Sequence, residues 1–265
     1  MKNKKIVIAG GSGFIGQALI AYFSKNNNVI VLSRNIGEVN NSYNQNKLTN
    51  TITTVHWDGK TLGNWCKVID GSDVIINLCG KSVNCRYTTA NKRAIFDSRI
   101  LPTKAIGEAI NLCKNPPTLW LNAASATIYR HATDKPQDEF VGNIQNDFSV
   151  QVCKKWEASF FEQETPLTRK VALRTAITLG NGGVMIPYFN LLKFGLGGKQ
   201  GSGKQMYSWV HIDDVCGIID YVYHHTNVEG VINVSSPNPV TNNILCKCLG
   251  SKQIPILACR HLLGC

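Results

Sequence analysis

A doubly wound α/β fold on a parallel sheet is the architecture this sequence predicts, and three observations predict it. The first is the stretch Ile6-Val7-Ile8-Ala9-Gly10-Gly11-Ser12-Gly13-Phe14-Ile15-Gly16. An apolar, β-branched run there ends in a glycine-rich turn, and Phe14, Ala18, Leu19 and Tyr22 then recur at helical spacing. The second is the return of short apolar runs along the chain, most of them separated by amphipathic segments. The third is size: 265 residues that are 43% hydrophobic can bury one large core with a small extra lobe.

The first strand, Ile6 to Ala9, runs straight into the turn. Gly10 and Gly13 let the backbone approach phosphates, and Gly16 lets the following helix pack against the strand. The opening N–H groups of that helix, from Phe14 and Ile15, face negative charge, which is how a dinucleotide pyrophosphate is held. The second strand, Val29 to Leu32, ends in Ser33-Arg34. An acidic residue at that place would hold the ribose hydroxyls of NAD, whereas a hydroxyl and a guanidinium suit a 2′-phosphate, so the expected cofactor is NADP, with NADPH its reduced form. Asn35 to Asn50 has no apolar period and reads as a loop on the adenosine side. Further strands are expected at Ile52 to Trp57, Val74 to Leu78, Leu119 to Asn122 and Lys170 to Arg174.

Gly195 to Gly203 reads as a second long loop, whose Lys199 and Lys204 can meet an anionic group on a small-molecule substrate. Val210-His211-Ile212-Asp213-Asp214 alternates into a helix, with Asp213 expected as its N-cap and His211 fixing the substrate loop. The organisation that follows is a Rossmann-type sheet over residues 1–180, to which 205–234 return. Residues 181–204 and 235–265 are expected to form a small C-terminal substrate lobe.

The formal charge of +11 raises nucleic acid as a partner. Only Lys2, Lys4 and Lys5 cluster, however, and no aromatic-plus-basic RNA motif is present, so none is expected. The glycine turn begins almost at the first residue, and the only apolar run there is Ile6 to Ala9. A cytoplasmic protein without signal or membrane span is the expectation. Ten cysteines scattered through strand-like and helix-like segments read as free thiols. Cys246/Cys248 and Cys259/Cys265 lack a zinc spacing, so no metal is expected.

Several of these segments together resemble a known family. Gly10 to Gly16, Asn77-Leu78-Cys79-Gly80, Ser125-Ala126-Thr127-Ile128-Tyr129 and Trp209 to Asp214 are similar to motifs of the extended short-chain dehydrogenase/reductases, the group that includes nucleotide-sugar epimerases. Arg86-Tyr87, Lys92, Ser98-Arg99, Cys153 with Trp156-Glu157, Gly197-Gly198, Gly201-Ser202-Gly203 and Gln205 narrow the likeness. They resemble an atypical subgroup usually labelled NAD-dependent epimerase/dehydratase family and sometimes "cell division inhibitor". The resemblance spans roughly residues 4–245. It implies that Leu78 and Cys79 line the adenine–ribose side and that Arg99 and Ile177 lie near the cofactor; from the residues alone, Asn77 to Gly80 is a strand ending in glycine, where ligands approach such sheets.

The departure from the family pattern bears on chemistry. Typical members use a Tyr that exchanges a proton with the substrate oxygen, a Lys four residues later and a substrate-orienting Ser. Ser125 stands where that Ser belongs, and it is the candidate catalytic residue. Spacing back from Glu157 puts Ser149 and Cys153 where Tyr and Lys should be, so the pair is missing. The only Tyr-x-x-x-Lys, Tyr43 to Lys47, lies in the Asn-rich loop and reads as coincidence. Tyr129, Lys81, Arg86 and Lys92 remain as alternative acids.

Three functions follow: an NADP(H)-binding oxidoreductase of atypical short-chain type, an NADP(H)-binding regulator or redox sensor without catalysis, and a nucleotide-sugar epimerase. Members of the resembled group continue several tens of residues past Val240-Thr241-Asn242, whereas four of the ten cysteines here fall in the last 20 positions. A truncated or divergent end is expected from that shift, with apolar surface left on the small lobe through which a homodimer can form.

Overall fold

In the computed structural model, residues 1–37 and 52–250 are described. The strands are β1 (Lys5–Ala9), β2 (Asn28–Ser33), β3 (Ile52–His56), β4 (Val74–Asn77), β5 (Leu119–Ser125), β6 (Arg169–Thr175), β7 (Ile177–Leu179), β8 (Met206–Tyr207), β9 (Trp209–His211), β10 (Gly230–Val234) and β11 (Val240–Thr241). The helices are α1 (Phe14–Phe23), α2 (Thr89–Asn111), α3 (Phe148–Phe161), α4 (Met185–Lys193), α5 (Ile212–His224) and α6 (Asn242–Gly250). Seven strands form one parallel sheet in the order β10-β6-β5-β4-β1-β2-β3. Its direction of winding reverses between β1 and β4, and a crevice opens beyond their carboxyl ends.

Side-chain alternation explains why the strands read as unbroken apolar runs. Ile6, Ile8, Val29, Val31, Val74, Ile76, Leu119, Leu121, Val171 and Leu173 pack on one face with Leu19 and Ile20 of α1 and Val215 and Ile219 of α5. Val7, Ala9, Ile30, Leu32, Ile75, Trp120 and Ala172 pack on the other with Ala105, Ile106 and Ala109 of α2 and Phe160 of α3. Both faces are covered, so both parities must be hydrophobic. Each fully buried Ile, Leu or Val adds about 1.5–3 kcal/mol of transfer free energy.

The observed strands differ from the expected ones mostly at their ends. β4 stops at Asn77, one residue short of the expected Leu78, while β5 runs on to Ser125, its last residues pairing with Leu173, Arg174 and Thr175 of β6. The edge strand β10 was not among the expected strands. Its short run is only half-buried up to Val234, and position in the sheet rather than local pattern makes it a strand. The helix after Val210 begins at Ile212 and is capped by His211, whose Nδ1 accepts from the Asp213 N–H at 3.3 Å. Asp213 is therefore not the N-cap; it lies in the first turn, where its charge complements the helix dipole.

Two small sheets, β7 with β9 and β8 with β11, surround a separate cluster of Leu179, Met185, Trp209, Val240 and Leu245. The glycine-dense run after α4 is a loop, as expected. It is tied down by Gln200 N–H to Asn242 Oδ1 at 2.7 Å and Asn243 N–H to the Gly203 carbonyl at 3.0 Å. Among the described helices, none is long and apolar enough to cross a membrane. Tyr43, Lys47, Cys259 and Cys265, with most of the Asn-rich loop, lie outside the described residues.

Candidate functional site

The three turn glycines are glycines for different reasons. Gly10 has φ +81°, and a Cβ there would stand 2.9 Å from the Leu78 carbonyl carbon and 3.1 Å from the Cys79 nitrogen. Its place is thus set by the turn and by the close approach of the chain leaving β4, not by an outside group. A Cβ on Gly16 would meet the Gly10 oxygen and the Gly11 Cα at 2.7 Å, so the helix packs on the turn itself. Gly13 differs. Its φ of −76° suits any residue, and a Cβ would find nothing nearer than the Gly10 oxygen at 3.8 Å. The protein supplies no internal reason for a glycine there, and the space beyond it is open to a ligand.

Gly13 is also the N-cap of α1, and it offers no side-chain cap. The helices α2, α3 and α5 are capped by Thr88, Asp147 and His211. The first N–H groups of α1, at Phe14, Ile15 and Gly16, thus remain available at the positive end of the helix dipole. The side chains of Phe14 and Ile15 point elsewhere. The Phe14 ring fills the space over Gly180, Gly182 and Gly183, and Ile15 packs against the α1–α5 face of the core. Only their backbone can serve an anion.

On one flank of this turn, Ser33 closes a local turn, its hydroxyl accepting from the Asn35 N–H at 3.1 Å. Arg34 is exposed and makes no hydrogen bond or ion pair among the described residues. It lies close enough to Cys79 to act on the thiol electrostatically; burial nevertheless pushes that thiol up to about 12, so Cys79 is protonated. The Leu78 and Cys79 side chains join opposite faces of the core, so their backbone, not their side chains, borders the turn.

The opposite flank is organised by a buried network that sequence patterning did not reveal. Asn77 Nδ2 donates to Asn122 Oδ1 at 2.7 Å and to Thr103 Oγ1 at 3.1 Å, and Asn77 Oδ1 accepts from the Cys79 N–H at 3.1 Å. The Thr103 hydroxyl in turn donates to the Arg99 carbonyl at 2.7 Å. These bonds fix the Cys79-Gly80 turn relative to α2. The Arg99 guanidinium lies over Gly80, 3.2 Å from where a Cβ would be, and stacks 5.0 Å from the Trp156 ring. Burial lowers its affinity for a proton, and its only guanidinium hydrogen bond among the described residues is to the Ile95 carbonyl at 3.0 Å. A half-buried cation with unused donors beside a glycine turn can hold an anion. Both flanks and the open turn fit a dinucleotide with its extra phosphate.

Beyond the crevice lies a cleft of about 770 Å³, a size suited to a small ligand. Ala126, Thr127, Tyr129, Thr175, Ile177 and Tyr207 line its inner wall. Ile177 thus stands at the cleft. Ser125 caps the short 3-10 turn Ala126–Ile128, accepting from the Thr127 N–H at 3.2 Å and donating to the Thr127 hydroxyl at 2.9 Å. It is also within hydrogen-bond reach of Cys153. Thr127, two residues on, is the more exposed of the two.

The cations at the cleft are Arg130, paired with Asp134 at 2.6 Å, and Lys135, rather than Lys199 and Lys204, which do not line it. Lys81, in the segment between β4 and α2, donates to Asn91 at 2.9 Å, Lys92 on the surface of α2 lies 5.1 Å over the Phe148 ring, and Arg86 is exposed. None of the three lines the cleft. Ser149 and Cys153 sit on α3, and burial pushes the Cys153 thiol up to about 11.

A second buried network reaches the cleft wall. Arg174 is bidentate to Glu157, Nε to Oε1 and Nη2 to Oε2 both at 2.8 Å, and its Nη1 donates to the Tyr129 phenol oxygen at 2.7 Å. Burial works against this cation, but the bonds to Glu157 and Tyr129 outweigh it and raise its proton affinity. The phenol donates onward to Asn233 Oδ1 at 2.9 Å.

Comparison with known proteins places this geometry. A family model described as "NAD dependent epimerase/dehydratase family" matches residues 6–151. An epimerase family protein of Staphylococcus saprophyticus is 33% identical over 236 residues, covering 88% of this chain and 76% of that protein. The crystal structure of human epimerase family protein SDR39U1 (isoform 2) with NADPH superposes with a TM-score of 0.78 at 27% identity, covering 93% of this chain and 79% of the human one. A nucleoside-diphosphate sugar epimerase from Corynebacterium glutamicum superposes with a TM-score of 0.74 at 28% identity, covering 94% of this chain and 50% of that one.

Proposed function

Because the chain belongs to the NAD-dependent epimerase/dehydratase family, we propose that it is an NADP(H)-binding oxidoreductase of atypical short-chain type acting on a small carbonyl or alcohol. The observation that carries this reading is the turn at Gly13, open to a ligand beside an uncapped helix terminus. The NADPH in the human relative supports the choice of dinucleotide, as do Ser33 and the exposed Arg34. When bound, NADP(H) supplies or accepts hydride. The chain's own work is to hold and to orient. Backbone N–H groups of Phe14 and Ile15, at the α1 terminus that begins after Gly13, face the pyrophosphate, Arg34 pairs with the 2′-phosphate, Arg99 offers its unused donors, and Ser125 with Thr127 orients a substrate oxygen at the end of β5.

The test is turnover of a panel of carbonyls, quinones and sugar nucleotides with NADPH. We expect Ser125→Ala to lower kcat/KM by roughly 10- to 100-fold, the effect of one positioning hydrogen bond, with NADPH affinity unchanged. Turnover that survives this substitution intact would remove Ser125 from the mechanism. A second reading, an NADP(H)-binding regulator without catalysis, is favoured by Ser149 and Cys153, which leave α3 without a Tyr-Lys pair. It predicts NADPH binding with no turnover anywhere in the panel.

A further inference from the structure

We propose that Tyr129 is the proton donor of this site, held in that role by Arg174 and Glu157. The proposal rests on the oxidoreductase reading and adds to it the group that handles the proton. A carbonyl reduced in this cleft takes hydride from NADPH at carbon and a proton at oxygen. Among the described residues lining the cleft, few can give that proton. Thr, Ser, Asn and Gln side chains are too weakly acidic, and Arg130 is a permanent cation paired with Asp134. His131 and Lys135 are exposed on the segment that leaves the sheet after Tyr129, and the two carboxylates are acceptors, Asp134 from Arg130 and Asp147 from the Val150 N–H. The two phenols, Tyr129 and Tyr207, remain.

They differ in what they touch. The Tyr207 hydroxyl faces another phenol, that of Tyr188 at 3.2 Å, and its ring has no cation over it among the described residues. The Tyr129 oxygen accepts from the Arg174 guanidinium at 2.7 Å, and the same guanidinium lies 5.1 Å from its ring centre. Arg174 cannot swing away, because its Nε and Nη2 are both bound by the buried Glu157 carboxylate. Negative charge arising on the Tyr129 oxygen is therefore met by a cation already in place, with no rearrangement. Ser125 and Tyr129 flank one 3-10 turn, Ala126–Ile128, and Thr127 and Tyr129 line the cleft together, so a substrate oxygen oriented by the Ser125–Thr127 pair stands at the same wall as the Tyr129 side chain. In the step, the Tyr129 O–H turns from Asn233 Oδ1, to which it donates at 2.9 Å before substrate enters, towards the substrate oxygen; that O–H bond breaks and an O–H bond forms on the substrate. The phenolate stays against Arg174 until solvent water in the cleft restores its proton. In the reverse direction the same oxygen accepts the proton of an alcohol.

The experiment has two arms on the full chain. In the first, Tyr129→Phe is compared with wild type for NADPH affinity by fluorescence, for melting temperature, and for kcat and KM with any carbonyl turned over. Expected is a loss in kcat of about 100-fold or more, the usual contribution of a general acid, with NADPH affinity and KM within about twofold. In the second, the cofactor-free chain is treated with tetranitromethane, which attacks phenolates, and nitration is mapped by mass spectrometry. Tyr129 should react about tenfold faster than Tyr207, the half-buried tyrosine of the same cleft that has no cation over its ring among the described residues. Unchanged kcat in Tyr129→Phe, or equal nitration of the two, overturns the proposal. So does a parallel collapse of NADPH affinity and melting temperature, which marks a purely structural tyrosine. Failure of wild type to bind NADPH, or NADPH binding without turnover of any carbonyl, overturns the oxidoreductase reading itself and is distinguishable from each of these.

Discussion

Glu157→Ala is expected to lower the unfolding free energy by about 3–5 kcal/mol, since it strands a guanidinium that folding has removed from water. Arg174 is 6% and Glu157 9% exposed, and their two parallel bonds of 2.8 Å leave no room for water to replace the carboxylate. At roughly 2–4 °C per kcal/mol for a chain of this size, the melting temperature should fall by about 6–20 °C. The double variant Glu157→Met with Arg174→Met should be markedly more stable than Glu157→Ala, because it removes both charges and keeps the volume. Urea unfolding of the three proteins measures this. A loss below about 1 kcal/mol in Glu157→Ala would show that the pair is solvated in solution and holds nothing in place.

Gly13→Val should separate binding from folding. The backbone at Gly13 is extended at φ −76°, and an added side chain points into space whose nearest atom is 3.8 Å away, so melting should fall only by the few degrees that an apolar β-branched residue costs at an N-cap. The same side chain occupies the approach to the α1 terminus. NADPH affinity should drop by roughly 100-fold or more, the loss of two charge-assisted backbone hydrogen bonds. Gly16→Ala is the control with the opposite pattern, losing stability because its Cβ meets the Gly10 and Gly11 backbone at 2.7 Å. Retained NADPH affinity in Gly13→Val would move the pyrophosphate away from this turn.

What was legible in the sequence is what neighbours along the chain determine. The strand–turn–helix at Ile6 to Gly16 is local, and so is the Ser33-Arg34 terminus of β2. The alternation of strands and helices follows from short apolar runs, and six of the seven sheet strands were found from it. The missing one, β10, is an edge strand that owes its state to pairing with β6, 59 positions earlier at Gly230 and Val171. The cap of α5 was misplaced by two residues because Asp is the commoner cap, whereas here the buried His211 ring is already in position to accept the Asp213 N–H.

The side-chain networks that shape the site were out of reach for a different reason. Asn77 meets Asn122 across 45 positions, and Tyr129 meets Asn233 across 104. No periodicity encodes such meetings. A usable signal did exist in Asn77, Asn122 and Arg174, polar residues inside otherwise apolar strand patterns, because a buried polar group must find a partner.

The open glycine turn and Arg34 together are expected to favour NADP(H) over NAD(H), and fluorescence titration of wild type and Arg34→Ala with NADPH and with NADH measures that preference. NADPH should bind wild type at least about tenfold more tightly than NADH, the worth of one charge-assisted phosphate contact, and Arg34→Ala should bring the two affinities together by weakening NADPH alone. Equal affinities in wild type, or a preference that persists unchanged in Arg34→Ala, would contradict the assignment.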